Sequence, residues 1–494
     1  MPLTRWWARA KALPGTPHVR GLGVTAETWQ QGAADVAAAG GRLLSMWASS
    51  SNTPVIHAAF LADPGVLVLE LPILAGGRPD PPCAAYPGLE GFFAVASRMQ
   101  RAIFDLSGIR ASDPDCRPWL HHAAEGYEFV RVAGDGVHEI AVGPVHAGTI
   151  EPGHFRFSVV GEKILKLEER LGYTHKGIEQ RFEELPILEG HRLAARIAGD
   201  SAIAYSWAYC QALEGMAGCE VPARAAMLRA LLLELERIAN HLGDVGALGN
   251  DAGFAFGLTQ FSRLKEELLR TVAQAFGQRY LIDAVVPGGT RVDIAAETEA
   301  ALAARIASVR REASELRAIY EEHSGVRDRF TETGILTPEL ARRLGVLGLV
   351  GRASGQALDL RLDLPCSPYD ALAPAKIVRQ TGDVAARVAL RFDEIDESCR
   401  LADALLGSMP AGAHGSAVQT PVPGSIGAGL IEGWRGPVFL ALEAGQDGTI
   451  QRCHPHDPSW QNWPALEHAI LGNIVADFPL INKSFSLAYS AVDL

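Results

Sequence analysis

Val137-His-Glu-Ile-Ala-Val-Gly143-Pro-Val-His146-Ala-Gly-Thr-Ile-Glu-Pro-Gly-His154-Phe-Arg-Phe157 marks the place where this chain of 494 residues changes character. Gly134-Asp-Gly136 before it is a turn signal, and residues 137–142 and 154–160 read as strands around a Gly/Pro-rich loop. Upstream, a helix is expected over residues 25–39, strands in alternating apolar segments such as Val66-Leu-Val-Leu-Glu-Leu71, and a Gly/Pro-rich loop over residues 76–88. Downstream of Pro186 the apolar period becomes helical. The domain boundary therefore falls near residue 130. Residues 1–130 read as a small α+β domain and residues 131–494 as a mainly α-helical domain with small peripheral sheets, an α+β chain overall.

Within the helical part, the segment after Pro222 places Met227, Leu228, Leu231, Leu232, Leu235, Ile238 and Leu242 on one apolar face, while Glu234, Arg237 and His241 share another. One long amphipathic helix is the expectation. Similar periods run over residues 258–276, 296–321 and 383–405. Thr337-Pro338 starts a short helix with a capping hydroxyl and Pro in the first turn. Residues 438–443 and 449–453 flank Gly445-Gln-Asp-Gly448 as a hairpin.

A formal net charge of −12 argues against a broad phosphate-binding surface, so no nucleic-acid partner is expected. No run of about 18 apolar residues occurs, and membrane contact is expected only through partners. The basic N-terminus is not followed by an apolar stretch of signal-peptide length. The cysteines, at 83, 116, 210, 219, 366, 399 and 453, form no Cys-x-x-Cys pair and read as free thiols in a reducing compartment. No strand–Gly-x-Gly-x-x-Gly–helix unit is present, so neither NADH nor a flavin is expected to bind.

The opening stretch, with Gly172-Tyr-Thr-His175-Lys-Gly-Ile-Glu179, resembles the large subunit of group 4 membrane-bound nickel–iron hydrogenases and the related D-type core subunit of respiratory complex I. The resemblance continues in order through Glu236-Arg-Ile-Ala-Asn-His241, Asp251 with Arg263, Pro287-Gly-Gly-Thr-Arg291, Arg352-Ala-Ser-Gly355, Asp383 with Arg387 and Arg391, and Asp477-Phe-Pro-Leu-Ile-Asn-Lys-Ser-Phe485. Arg98-Met-Gln-Arg101-Ala-Ile-Phe-Asp105-Leu-Ser-Gly108-Ile109 is similar to a helix of the small C-type subunit of complex I. A fusion of this kind is found in the large subunits of hydrogenase-3 and hydrogenase-4.

In these hydrogenases two Cys-x-x-Cys motifs hold nickel and iron. Here the resemblance aligns Ala198 and Ser201 with the first and Ala488 and Ala491 with the second. A methyl has no lone pair and a hydroxyl is a hard, protonated donor, so no nickel–iron centre and no directly bound cofactor is expected. Cys210 reads as a small buried hydrophobe on a helix. The chain stops right after the second motif, consistent with no maturation cleavage. By the same resemblance, Arg196 and His241 lie beside a [4Fe-4S] cluster held by a partner, and Asp251 matches an acid near a quinone cavity. The quinone-binding Tyr and His of complex I fall at Gly199 and near Ile150, which leaves Tyr205 and His146 as candidate substitutes. The plainer readings are a helix-bridging Arg, a satisfied core His and a cap Asp. His146, His154 and His175 have spacings that fit no zinc pattern, and the Cys453-His-Pro-His456 stretch looks superficially metal-like but reads as a loop.

The resemblance thus implies a non-nickel core subunit of a complex I-like or hydrogenase-4-like oxidoreductase. It would sit peripherally on the inner face of the plasma membrane, docked on a small iron–sulfur partner like the B-type subunit of complex I and on antiporter-like membrane subunits. The alternatives are a quinone-reducing catalytic subunit of the NADH-quinone oxidoreductase type and an assembly scaffold without a redox role.

Overall fold

A computed structural model describes residues 2–49, 53–73, 85–112, 115, 117–120, 127–146 and 150–494. Cys83, Cys116 and most of the expected loop over 76–88 lie outside the described residues. Near the N-terminus, β1 (Lys11–Ala12), β2 (Val19–Gly23), β3 (Arg42–Ser49), β4 (Val55–Ala62) and β5 (Gly65–Pro72) form one sheet in the order β1-β2-β5-β4-β3. The β2–β5 pair is parallel, with Val19 opposite Val66, and the others are antiparallel. One face packs on α1 (Ala26–Ala38), which Thr25 caps at its start, and on α2 (Ala96–Ser107). The other face is covered as well. Trp47, Ala59 and Val66 meet Ala428, Leu430, Phe439 and Ala441 of a second sheet. Burial from both sides explains why β3 is apolar almost without alternation.

That second sheet is the antiparallel β9 (Ile426–Glu432), β10 (Pro437–Ala444) and β11 (Ile450–His456). Cys453-His-Pro-His456 therefore lies in a strand, not in the expected loop, because Phe439 to Leu442 of β10 pair with it. A third sheet is the meander β6 (Val137–Val142), β7 (His154–Val160) and β8 (Lys163–Arg170).

The body is built from α3 (Ala202–Ala217), α4 (Ala223–Asp251), α5 (Ala255–Phe276), α6 (Ala296–Glu322) and α7 (Val384–Gly407), with the short α8 (Phe478–Phe485) against α4 and α7. The single long helix expected after Pro222 forms, but its polar side is not turned to water. In α4, Glu234, Arg237 and His241 are all 0% exposed. The helix lies between α5 and α7, so its polar side faces buried charges rather than water. Among the described residues no helix is long and apolar enough to cross a membrane.

Candidate functional site

Gly433 and Gly436 close the β9–β10 hairpin on each other, leaving Trp434 and Arg435 at its tip. Gly436 sits at φ +140°, and Gly348 packs so tightly beneath the tip that a Cβ there would fall 1.7 Å from the Arg435 carbonyl oxygen. This close approach fixes where the Arg435 side chain can go.

Arg435 joins the two segments that the resemblance assigns to metal ligation. Its guanidinium donates to both carboxylate oxygens of Asp200 (2.7 and 2.5 Å), to Ser201 Oγ (3.1 Å) and to the Ser486 carbonyl (2.5 Å). Trp434 Nε1 donates to the Asp200 carbonyl (2.8 Å) and to Ser201 Oγ (3.1 Å). A second guanidinium, Arg391, donates to Asp244 Oδ2 (3.0 Å), the Ser484 carbonyl (2.9 Å) and Ser486 Oγ (2.7 Å). Beyond Ser486, which turns the chain at φ +52°, Ala488 and Ala491 are buried.

The four aligned side chains thus offer three methyls and one hydroxyl, and that hydroxyl already accepts two N–H groups. Cys210 is buried on α3, and burial pushes its thiol well above the ordinary range. A donor set without thiolates, beside a fixed guanidinium, does not fit a nickel–iron centre.

Behind the hairpin lies a buried lattice of charge. Arg237 Nη1 and Nη2 donate to the Gly433 (3.0 Å) and Glu432 (2.7 Å) carbonyls. Arg352 donates to Glu394 Oε1 (2.6 Å) and Glu432 Oε1 (2.8 Å). Glu234 receives Tyr369 Oη (2.6 Å), Ser398 Oγ (2.6 Å) and Arg361 Nη1 (3.3 Å), and Arg361 also holds Asp359 (2.8 Å). His241 Nε2 lies 2.8 Å from Glu394 Oε2, and its ring meets Trp434 edge-on at 5.9 Å. Burial alone would raise the Glu394 carboxyl, but Arg352 and the His241 hydrogen bond hold it well below its ordinary range. Burial lowers His241, and Glu394 offsets this only in part. The imidazole Nδ1 is unpartnered among the described residues.

The other expected residues are spread over the molecule. Arg196 is half exposed at 48% and forms a two-pronged pair with Asp283 (2.6 and 2.8 Å), so it bridges to the segment after α5. Asp251 ends α4 and pairs with Lys483 of α8 at 2.7 Å. Tyr205 is fully buried and donates to Asp457 Oδ2 (2.8 Å), while His146 is exposed in the loop after β6, edge-on to Phe155. Among the described residues no contact joins Tyr205 to His146. Replacing Tyr205 by Phe is expected to cost about 1.5–3 kcal/mol, because the buried Asp457 carboxylate loses a donor. Urea unfolding of the variant measures this, and a loss below about 0.5 kcal/mol would show the bond to be idle.

His175 Nδ1 lies 2.7 Å from the Asp493 carbonyl, and His154 packs on Phe129. His454 is held by Ser45 (2.7 Å) and Glu179, and His456 by Gln461 (2.9 Å). Among the described residues no group of three or more His, Cys, Asp or Glu is placed to hold a metal ion. The sequence reading missed Asp200, Trp434 and Arg435. The signal for them was Gly433-Trp-Arg-Gly436 between two apolar runs, a hairpin tip carrying an aromatic ring and a cation.

A cavity of about 400 Å³ opens beside the first motif, between α4, α5 and residues 279–282. Gly199, where the resemblance would place a tyrosine, lines it.

Comparison with known proteins places this geometry. Residues 251–423 match the family described as respiratory-chain NADH dehydrogenase, 49 Kd subunit. Formate hydrogenlyase subunit 5 of Escherichia coli is 33% identical over 380 residues, covering 76% of this chain and 67% of the relative. Hydrogenase-4 component G of the same organism is 31% identical over 392 residues, covering 78% of this chain and 66% of the relative. The chain thus spans about two thirds of the length of these two relatives. The structure of a membrane-bound sulfane sulfur reductase, described as an archaeal respiratory membrane complex, superposes with a TM-score of 0.68 at 24% identity. That match covers 73% of this chain and 99% of the other, and it supports the fold.

Proposed function

The chain belongs to the family that unites the 49 Kd subunit of respiratory-chain NADH dehydrogenase with formate hydrogenlyase subunit 5 and hydrogenase-4 component G, and from that premise we propose a function without nickel. It is a core subunit of a membrane-associated complex I-like or hydrogenase-4-like oxidoreductase. It flanks the terminal [4Fe-4S] cluster of a small iron–sulfur partner and links electron transfer to ion translocation by antiporter-like membrane subunits.

The observation that carries this reading is Arg435. A guanidinium bound to Asp200, Ser201 and the Ser486 carbonyl occupies the junction of the two motifs, with alanines where the hydrogenases would need thiolates. An arginine stays charged at any physiological pH. The junction is therefore held by a bidentate Arg435–Asp200 ion pair with its donors already directed, and it asks for no metal to hold it together. The half-exposed Arg196, tied to Asp283, is the cation of the first motif most open to a partner surface. A cation beside a cluster favours its reduced state, because reduction adds negative charge.

The test uses the intact complex. Elemental analysis is expected to find iron and no stoichiometric nickel, and hydrogen evolution is expected to be absent. Arg196→Gln is expected to lower the midpoint potential of the terminal cluster by tens of millivolts, read by redox titration with electron paramagnetic resonance. Stoichiometric nickel would end the proposal, and an unchanged potential would favour the scaffold.

A further inference from the structure

The cavity beside the first motif is walled mainly by apolar side chains, among them Leu235 and Ala239 of α4 and Leu269 and Val272 of α5. Its volume of about 400 Å³ lies within the range of sites that bury small organic molecules. Two polar groups set what such a molecule must carry. Glu236, 7% exposed, lines the cavity with one oxygen committed: Oε2 accepts the Ile203 N–H at 2.8 Å. Its Oε1 is buried and has no partner among the described residues, an arrangement that native interiors rarely leave unexplained. Lys265 lines the cavity and forms no ion pair among the described residues.

The remaining charges around Glu236 are already matched. Asp200 is taken by Arg435, and Arg279 by Glu266, although Arg279 Nε is buried without a partner. Arg237, one residue along α4, points its guanidinium at the Glu432 and Gly433 carbonyls and Glu234. Burial, reinforced by Asp200 and opposed by the Ile203 and Ala204 N–H groups and by Arg237, pushes the Glu236 carboxyl up to about 8. At neutral pH it is therefore an uncharged acid. Since Oε2 accepts, the proton resides on Oε1, which makes that oxygen a donor. The cavity thus combines an apolar body, one unpaired ammonium and one acid O–H.

We propose that this cavity binds a small amphipathic anion, whose carboxylate or sulfonate takes the Lys265 ammonium and the Glu236 hydroxyl while its hydrocarbon body lies against Leu235, Leu269 and Val272. No step of this depends on the electron-transfer reading.

The test titrates the purified full chain with 8-anilinonaphthalene-1-sulfonate, followed by fluorescence and calorimetry between pH 6.5 and 9.5. One saturable site is expected, displaced by octanoate and not by octanol. Leu269→Trp fills the cavity and should abolish the site, and Lys265→Gln, a change at a partly exposed position, should weaken it several-fold with the fold intact. Above pH 8 the affinity should fall by about tenfold per unit as the acid loses its proton. Glu236→Gln, a neutral donor at every pH, should flatten that fall. Equal displacement by octanol, unchanged binding in Lys265→Gln, or a pH dependence that survives in Glu236→Gln would each overturn the proposal.

Discussion

Replacing Arg352 by Met is expected to destabilise the folded chain by about 3–5 kcal/mol, the cost of leaving buried charge without its partner. Arg352 is 1% exposed and is the donor shared by Glu394 and Glu432, which are 1% and 3% exposed. Without it, Glu394 keeps His241 at 2.8 Å and a distant Arg237 at 3.9 Å, and Glu432 keeps the Leu360 N–H. Neither remaining set replaces the guanidinium beside groups that water cannot reach. Adding Glu432→Gln to Arg352→Met removes one of the two carboxyls left without their shared donor and should recover about 0.5–3 kcal/mol, the size of coupling found between groups in direct contact. Arg310→Gln is the control. Its partner Asp396 is 58% exposed, so the change should stay within about 0.5 kcal/mol. Urea unfolding of the four proteins decides the matter: a loss below about 1 kcal/mol in Arg352→Met would mean that the lattice is not what holds α4, α7 and the β9–β10 hairpin together.

Acid separates wild type from His456→Gln. Burial holds the imidazoles of His456 and His57 down at about 3 in the folded chain. The unfolded chain protonates them near the ordinary value of about 6.5, so between those values unfolding takes up a proton at each. Their contribution is complete above pH 6.5 and is lost as pH falls, by about 1.4 kcal/mol per unit for each histidine. Several buried carboxyls act in the other direction. Glu236, raised to about 8, and Asp493, raised to about 6, keep protons that the unfolded chain releases, so their contribution declines as pH rises. The slope of total stability sums these with every other shifted group, and the variant isolates one of them. The stability difference between wild type and His456→Gln should move against wild type by about 1.4 kcal/mol for each unit between pH 6.5 and 4. His456 bonds Gln461 through Nε2 and leaves Nδ1 unpartnered among the described residues, so no acceptor waits for a second proton. A difference that stays constant between pH 7 and 5 would show that His456 protonates in the folded chain as freely as in the unfolded one.

Local chemistry made much of the architecture readable. Thr25 and Asp383 cap the helices that their positions announce, Thr337-Pro338 begins a helix, and residues 137–142 and 154–160 are the strands that turn signals and alternation mark out. The reading failed at α4 because periodicity reports that Glu234, Arg237 and His241 share a side of a helix, and says nothing of what that side meets. A polar stripe facing water and one facing Arg352, Arg361 and Glu394 look alike along the chain. It failed again at Cys453-His-Pro-His456, where a proline and two histidines suggest a loop but pairing with β10 imposes a strand.

For the site, the sequence by itself determined the supply of donor atoms: no thiol stands at 198, 201, 488 or 491, and no folding can change that. It also named Arg196, His241, Asp251, Tyr205 and His146 as candidates, without their partners. Tertiary structure alone decided the partners, because a hydrogen bond depends on distance through space and the relevant pairs lie far apart along the chain. Arg435 and Asp200 are 235 residues apart, Arg352 and Glu432 80, and Tyr205 and Asp457 252. Only when the β9–β10 hairpin is set on Gly348 does the Arg435 cation reach both motifs, and only when α4 is enclosed by α5 and α7 does a row of ordinary charged residues become a buried lattice.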